Sequence, residues 1–199
     1  MSSLYHEAQL SSLCGVHALN NLLQGPFFGA GDLASYAHQL DEAEAALMTQ
    51  SWNEAAQQSQ QSHRIDVRTG DFSLDVLAKA LESRGISLIN VDHASVAEAV
   101  GSQPEREEGF LVHRSSHWFA LRQVSSLWWS LDSKLPRPKL ISHEALGPYI
   151  SRLRVDGHTL HVARSTALGP VPSPLPSPQE GTGAGHEAVY HPIDYLLQY

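Results

Sequence analysis

A chain of 199 residues, 42% hydrophobic and 17% charged, can bury one sizeable core with room for a tail. Its formal net charge of −8, with no lysine or arginine run, argues against a nucleic-acid groove or an anionic membrane surface as a partner. A single cysteine, Cys14, permits neither an internal disulfide nor a cysteine-rich zinc site, and it suits a reducing compartment.

The first ten residues, "MSSLYHEAQL", lack the basic and apolar regions of a secretory signal. No run approaches the roughly 18 apolar residues that span a bilayer. The expected location is therefore inside the cell, in cytoplasm or nucleus. Val16, Leu19, Leu22 and Leu23 recur at helical spacing, and Gly25-Pro26 should end that helix. Asp32 is placed to cap a second helix, "LASYAHQLDEAEAALM". The Gln/Ser-rich stretch from Thr49 to Arg64 reads as a mobile continuation of it, or a long loop. Ser73 caps "LDVLAKALESRG", whose stripe is Leu74, Leu77 and Leu81, with Gly85 as the stop.

From there the pattern shifts to strands. "ISLINVD" reads as a strand and "ASVAEAVG" as a short helix. "GFLVHR", "HWFALRQV" and "LWWSLDS" read as successive strands, with Ser125-Ser126 turning between the last two. "SHEALGPYISRLR" is helical with a Gly-Pro interruption, and "HTLHVAR" is a final strand. Helices first and adjacent strands after argue for an α+β fold, N-terminal helices packed on an antiparallel sheet. The boundary falls at about residue 167. Residues 168–199 open with the proline-rich "GPVPSPLPSPQEGTGAG", an extended linker. The apolar "HEAVYHPIDYLLQY" after it is either a docking segment or part of a flexible tail.

Position alone leaves two readings of Cys14. It is a small apolar residue entering a core, or a nucleophile whose thiolate is favoured by a helix N-terminus. A nucleophilic cysteine needs a histidine base, and the base an orienting acceptor. Among the twelve histidines, His17 is close along the helix but need not reach the sulfur, whereas His117 opens a strand of the hairpin that also carries Asp132. With Ser125-Ser126 as the turn, His117 faces position 134 and Asp132 faces position 119. That is a same-face diagonal within side-chain reach. Asp132 would accept from Nδ1–H of His117 and leave Nε2 to the thiol. The alternative is that Asp132 merely starts a turn with Ser133. Gln9, five residues before Cys14, can donate to an oxyanion with the Cys14 amide, or be an ordinary loop glutamine. His158 and His161, three apart in a strand, make a poor metal pair, and neither metal nor organic cofactor is expected.

"YHEAQLSSLCGVHALNNLLQGPFF", "ASYAHQLDEAEAALM", "FSLDVLAKALESRGISLI" and "HWFALRQVSSLWWSLDSKLPRPKLIS" together resemble the Josephin domain, the papain-like deubiquitinase module of the ataxin (Machado–Joseph disease protein) type. The resemblance covers roughly residues 1–165 and implies a cysteine protease fold that cleaves at the ubiquitin C-terminus. It implies Cys14 as nucleophile, His117 as general base, Asp132 as the orienting residue and Gln9 as oxyanion donor. Asparagine is usual at the third position in the ataxin branch; aspartate stands there in the shorter Josephin proteins, as in this chain. The resemblance also implies ubiquitin contacts at Leu74 and at the Phe27/Phe28 pair, although Arg84 stands where that second face has a tryptophan. Trp118 is expected beside the cleft. The Gln/Ser-rich segment falls where the family has a gating helical hairpin. The implied partners are ubiquitin or polyubiquitin, ubiquitylated proteins, or a ubiquitin-like domain of a shuttle protein. Two rivals stand beside this reading: a catalytically silent ubiquitin-binding module of the same fold, and a Cys-His-Asp acyltransferase using a small thioester donor.

Overall fold

The computed structural model describes residues 3–9, 12–51, 64–66, 71–165 and 187–197. Its main sheet is antiparallel throughout, in the order β4-β9-β5-β6-β7-β8. The strands are β4 (Ile86–Asn90), β5 (Gly109–Arg114), β6 (His117–Val124), β7 (Leu127–Leu131), β8 (Lys139–Ile141) and β9 (Thr159–Ser165). Side chains alternate across such a sheet. Leu111, Trp118, Ala120, Trp129 and Ala163 therefore face one core, and Phe110, Val112, Phe119, Leu121 and Trp128 the other.

Helices α1 (Cys14–Leu23), α2 (Ala30–Ser51) and α3 (Leu74–Glu82) cover the first face. Helices α4 (Ala97–Ser102) and α5 (His143–Val155) cover the second. The expected α+β class and the helices on an antiparallel sheet are both present. The close approach of α1 requires Gly109: a Cβ there would sit 2.7 Å from Leu22 Cδ1 and 3.0 Å from the Leu121 carbonyl oxygen.

Several ends differ from the sequence expectation for identifiable reasons. Helix α1 stops at Gln24, which takes the left-handed conformation (φ 63°) ahead of Gly25. Its side chain compensates, accepting from Tyr5 N–H at 3.0 Å and donating to Asn21 O at 2.6 Å. Helix α2 begins before Asp32, and that carboxylate reaches back to Gly29 N–H at 2.7 Å, the rear half of a capping box. Ser73 is the α3 N-cap by position but makes no capping hydrogen bond. Pro148 sits inside an unbroken α5, so the expected Gly-Pro interruption does not occur.

Of the strands in the described residues, five, β8 included, are not expected from the sequence. β1 (Ser3–Ala8) pairs with β10 (Glu187–Pro192), and the short helix α6 (Ile193–Leu196) follows. In this last stretch Ile193 is buried in the first core. The short β2 (Ile65–Asp66) and β3 (Asp71–Phe72) pair ahead of α3. Most of the Gln/Ser-rich segment and the proline-rich linker lie outside the described residues.

Candidate active site

Cys14 is the first residue of α1, and Leu13 before it supplies no side-chain cap. The leading N–H groups of the helix therefore converge near the sulfur. The helix is pinned from below by a buried polar network. Glu7 accepts from His17 Nδ1 at 2.6 Å, from Asn20 Nδ2 at 3.0 Å and from the Tyr5 hydroxyl. Burial, with the Glu7 carboxylate beside it, drives the Tyr5 hydroxyl strongly upward in pKa. Glu7 N–H in turn donates to Asn21 Oδ1 at 2.7 Å. His17 is thus a structural partner of Glu7. Cys14 itself is 6% exposed, its Sγ 3.8 Å from the Ser116 carbonyl oxygen.

Ser116 precedes His117 in a tight hairpin. Ser115 and Ser116 both have positive φ, as do Ser125 and Ser126 in the next one. Two Ser-Ser pairs thus adopt the type I′ pattern usually given to Asn-Gly. The second turn fixes the register Ala120↔Leu131 and Val124↔Leu127, the pairing expected from sequence. His117 and Asp132 meet across that register, Nε2 to Oδ1 at 2.7 Å. The expected ring orientation is reversed. Asp132 takes Nε2, and Nδ1 is the buried nitrogen left without a hydrogen bond. The Cys14 side chain acts on this ring to favour its protonated form.

Burial pushes the His117 imidazolium down, but hydrogen bonding to Asp132 and Cys14, and the Asp132 charge, outweigh it. Its pKa is pushed up to about 9. For Asp132, burial is opposed by the His117 and Lys134 hydrogen bonds, and the net shift is downward. Asp132 faces both the imidazole and the turn that follows it. Oδ1 orients the imidazole and also accepts from Lys134 N–H at 2.9 Å, while Leu135 N–H closes the turn on the Asp132 carbonyl at 2.9 Å.

Gln9 is brought to the same corner. Its N–H donates to Ser133 O at 2.7 Å, and its Oε1 accepts from the Ser133 hydroxyl at 2.8 Å. With the carbonyl end held, the amide NH₂ is the end available to donate. A cleft of about 500 Å³ is lined by Ser116 together with Phe72, Ser73, Leu74, His113, Trp118 and His161.

Leu74 is partly buried at the rim. Trp118 is 3% exposed, stacked on His113 at 4.1 Å, with its indole N–H on Phe72 O at 3.1 Å; it builds the cleft wall by packing. Phe27 and Phe28 lie apart from this cleft. Phe28 is buried against Tyr36, and the Arg84 guanidinium sits over both rings at 5.1 and 5.4 Å. The charge that replaces the family's tryptophan therefore covers the pair.

Some cleft residues were missed in the sequence. His113 and His161 share one sheet face because β5 and β9 pair with Leu111 opposite His161. Arg64 was seen only as the end of a loop; it bridges Asp41 and Glu44 of α2 to Asp75 of α3, at 2.7–2.9 Å. His158 bonds Leu153 O and packs on Phe119, away from His161. Among the described residues, no group of three His, Cys, Asp or Glu could hold a metal ion, and no helix is long and apolar enough to cross a membrane.

The sequence profile of the Josephin family matches residues 9–164. The chain is 35% identical over 90% of its length to a putative ataxin-3 homolog of Oryza sativa subsp. japonica, covering 54% of that protein. It is 36% identical over 82% of its length to the human ataxin-3-like protein, covering 47% of it. An Arabidopsis thaliana ataxin-3 homolog is 34% identical over 91% of the chain, 65% of its own length being covered. The chain thus spans about half the length of several curated relatives it matches. With the Cys-His-Asp corner, the helix–sheet architecture and these matches in hand, the chain belongs to the Josephin family.

Proposed function

We propose that the chain is a cysteine-type deubiquitinase that hydrolyses the bond between the C-terminal glycine of ubiquitin and a lysine amine. The observation that carries this is the 2.7 Å His117–Asp132 pair, with Cys14 at the start of α1 against Ser116, the residue before His117 and one that lines the cleft. Family membership supports ubiquitin as the substrate class.

In the reaction, the Cys14 thiolate attacks the glycine carbonyl carbon and a sulfur–carbon bond forms. The oxyanion takes hydrogen bonds from the Cys14 N–H and the Gln9 amide. His117 Nδ1–H then protonates the departing lysine nitrogen as the carbon–nitrogen bond breaks. Water attacks the thioester carbon and gives a proton to Nδ1, the carbon–sulfur bond breaks to return the Cys14 thiolate, and ubiquitin leaves with a free carboxylate. Polyubiquitin and ubiquitylated proteins are the substrates of this reading. A ubiquitin-like domain is a binding partner under it.

The test is incubation of the full chain, beside Cys14→Ser, with isopeptide-linked diubiquitin. Release of monoubiquitin by the wild type alone is expected. No release, or equal release by both, overturns the reading.

A further inference from the structure

We infer that the C-terminal segment β10–α6 is a positioning element of the active site, acting through β1 on Gln9 and Asp132. The family profile begins at residue 9 and ends at 164, so the β1–β10 ladder lies beyond it on both sides. The kinetic arm of the test rests on the deubiquitinase reading.

β1 touches the catalytic corner at two points. His6 Nε2 donates to the Asp132 carbonyl oxygen at 3.1 Å. At the end of the strand, Gln9 is tied to Ser133 by its N–H and by its side-chain carbonyl, at 2.7 and 2.8 Å. Residues 132 and 133 follow directly after β7, where the sheet ladder has ended. The place of Asp132 behind His117 thus depends partly on a strand outside the main sheet.

Among the described residues, β10 is the only strand paired with β1. The register runs Ser3↔Pro192 to Ala8↔Glu187. A lone two-stranded ladder is marginal in water. This one is fastened by side chains: Tyr190 meets Tyr5 edge-on at 5.0 Å, His191 lies 6.2 Å from His6, and Ile193 is 5% exposed in the core cluster that contains Cys14. Removing that fastening unpairs one edge of β1 and frees the strand that holds both Gln9 and the Asp132 carbonyl.

The experiment compares the full chain with Ile193→Asp, Ile193→Val and Tyr190→Ala. It reads hydrolysis of a ubiquitin C-terminal fluorogenic amide and the pH profile of Cys14 alkylation by iodoacetamide. Ile193→Asp should lower kcat about tenfold or more, with KM changed less than about twofold, because misplacing catalytic groups costs rate before binding. It should also move the alkylation profile, and Ile193→Val should restore both. Combined with Gln9→Ala, its effect should fall short of the product of the single effects. Unchanged kcat and profile in a folded Ile193→Asp overturn the inference, as does full additivity with Gln9→Ala. If Ile193→Asp does not fold, Tyr190→Ala decides by the same two readouts, with a smaller loss expected. A full chain that fails to cleave the amide defeats the deubiquitinase reading alone, and the alkylation profile still decides the positioning role.

Discussion

His117 turns Nε2, not Nδ1, toward Asp132, with 2.7 Å between Nε2 and Oδ1. The carboxylate is a committed acceptor, since the same oxygen also receives Lys134 N–H. Against the opposing effect of burial, its hydrogen bond and, to a lesser degree, its charge, together with Cys14, hold the imidazolium up to about 9. Asp132→Asn keeps an oxygen acceptor but removes that charge, so the imidazolium should lose its proton at lower pH. The alkaline limb of the kcat/KM profile should move down by about one unit or more. An unchanged limb would show that the charge of Asp132 does not set it.

Gln9 is oriented with its carbonyl end spent on Ser133. Gln9→Ala should lower kcat about a hundredfold with little change in KM, as loss of an oxyanion donor does. Ser133→Ala should give a smaller loss of the same kind, because the amide keeps its donor but loses its anchor. Steady-state kinetics on a ubiquitin amide checks both.

His117 also links stability to pH. Its folded pKa of about 9 lies above the ordinary 6.5, so the stabilisation is complete below 6.5 and is lost as pH rises through 9. Thermal unfolding midpoints of the wild type should therefore fall relative to His117→Gln between these values. Parallel curves for the two proteins would contradict the shift.

The Glu7–His17 pair fixes the nucleophile helix from a site with almost no solvent access. Removing one member leaves the other buried without its partner. Glu7→Ala should cost about 3–5 kcal/mol in a denaturant titration. A loss under 1 kcal/mol would mean that Asn20, Asn21 and Tyr5 hold α1 without it.

Arg64 ties α2 to α3 through three carboxylates while lining the cleft. A lysine there keeps the charge but not the fork of donors. Arg64→Lys should raise KM several-fold with kcat nearly intact, and cost about 1 kcal/mol or less in stability, since two of the carboxylates are substantially exposed.

The parts of this molecule that were legible share local patterning. The amphipathic stripe of α3 and the alternation of β5 to β7 are local patterns, and the Ser125-Ser126 turn sets the register that puts Asp132 diagonal to His117 on one sheet face. What was illegible depends on distant partners. β1 looks wrong for a strand core because His6 and Glu7 are polar, yet both are buried, matched by Asp132 O and by His17, Asn20 and Tyr5. The imidazole orientation could not be read either. Register gives which residues face one another, but the ring flip depends on where the sulfur stands, a hundred residues away. Arg64 looked like loop because its three partners are spread over two helices.

The most direct measurement is covalent capture by ubiquitin bearing a C-terminal electrophile, followed by mass mapping of the adduct. One ubiquitin on Cys14 in the wild type, none on Cys14→Ala, and slowed capture by His117→Ala is the predicted result. Tight ubiquitin binding without any adduct, or an adduct that survives Cys14→Ala, would contradict the account.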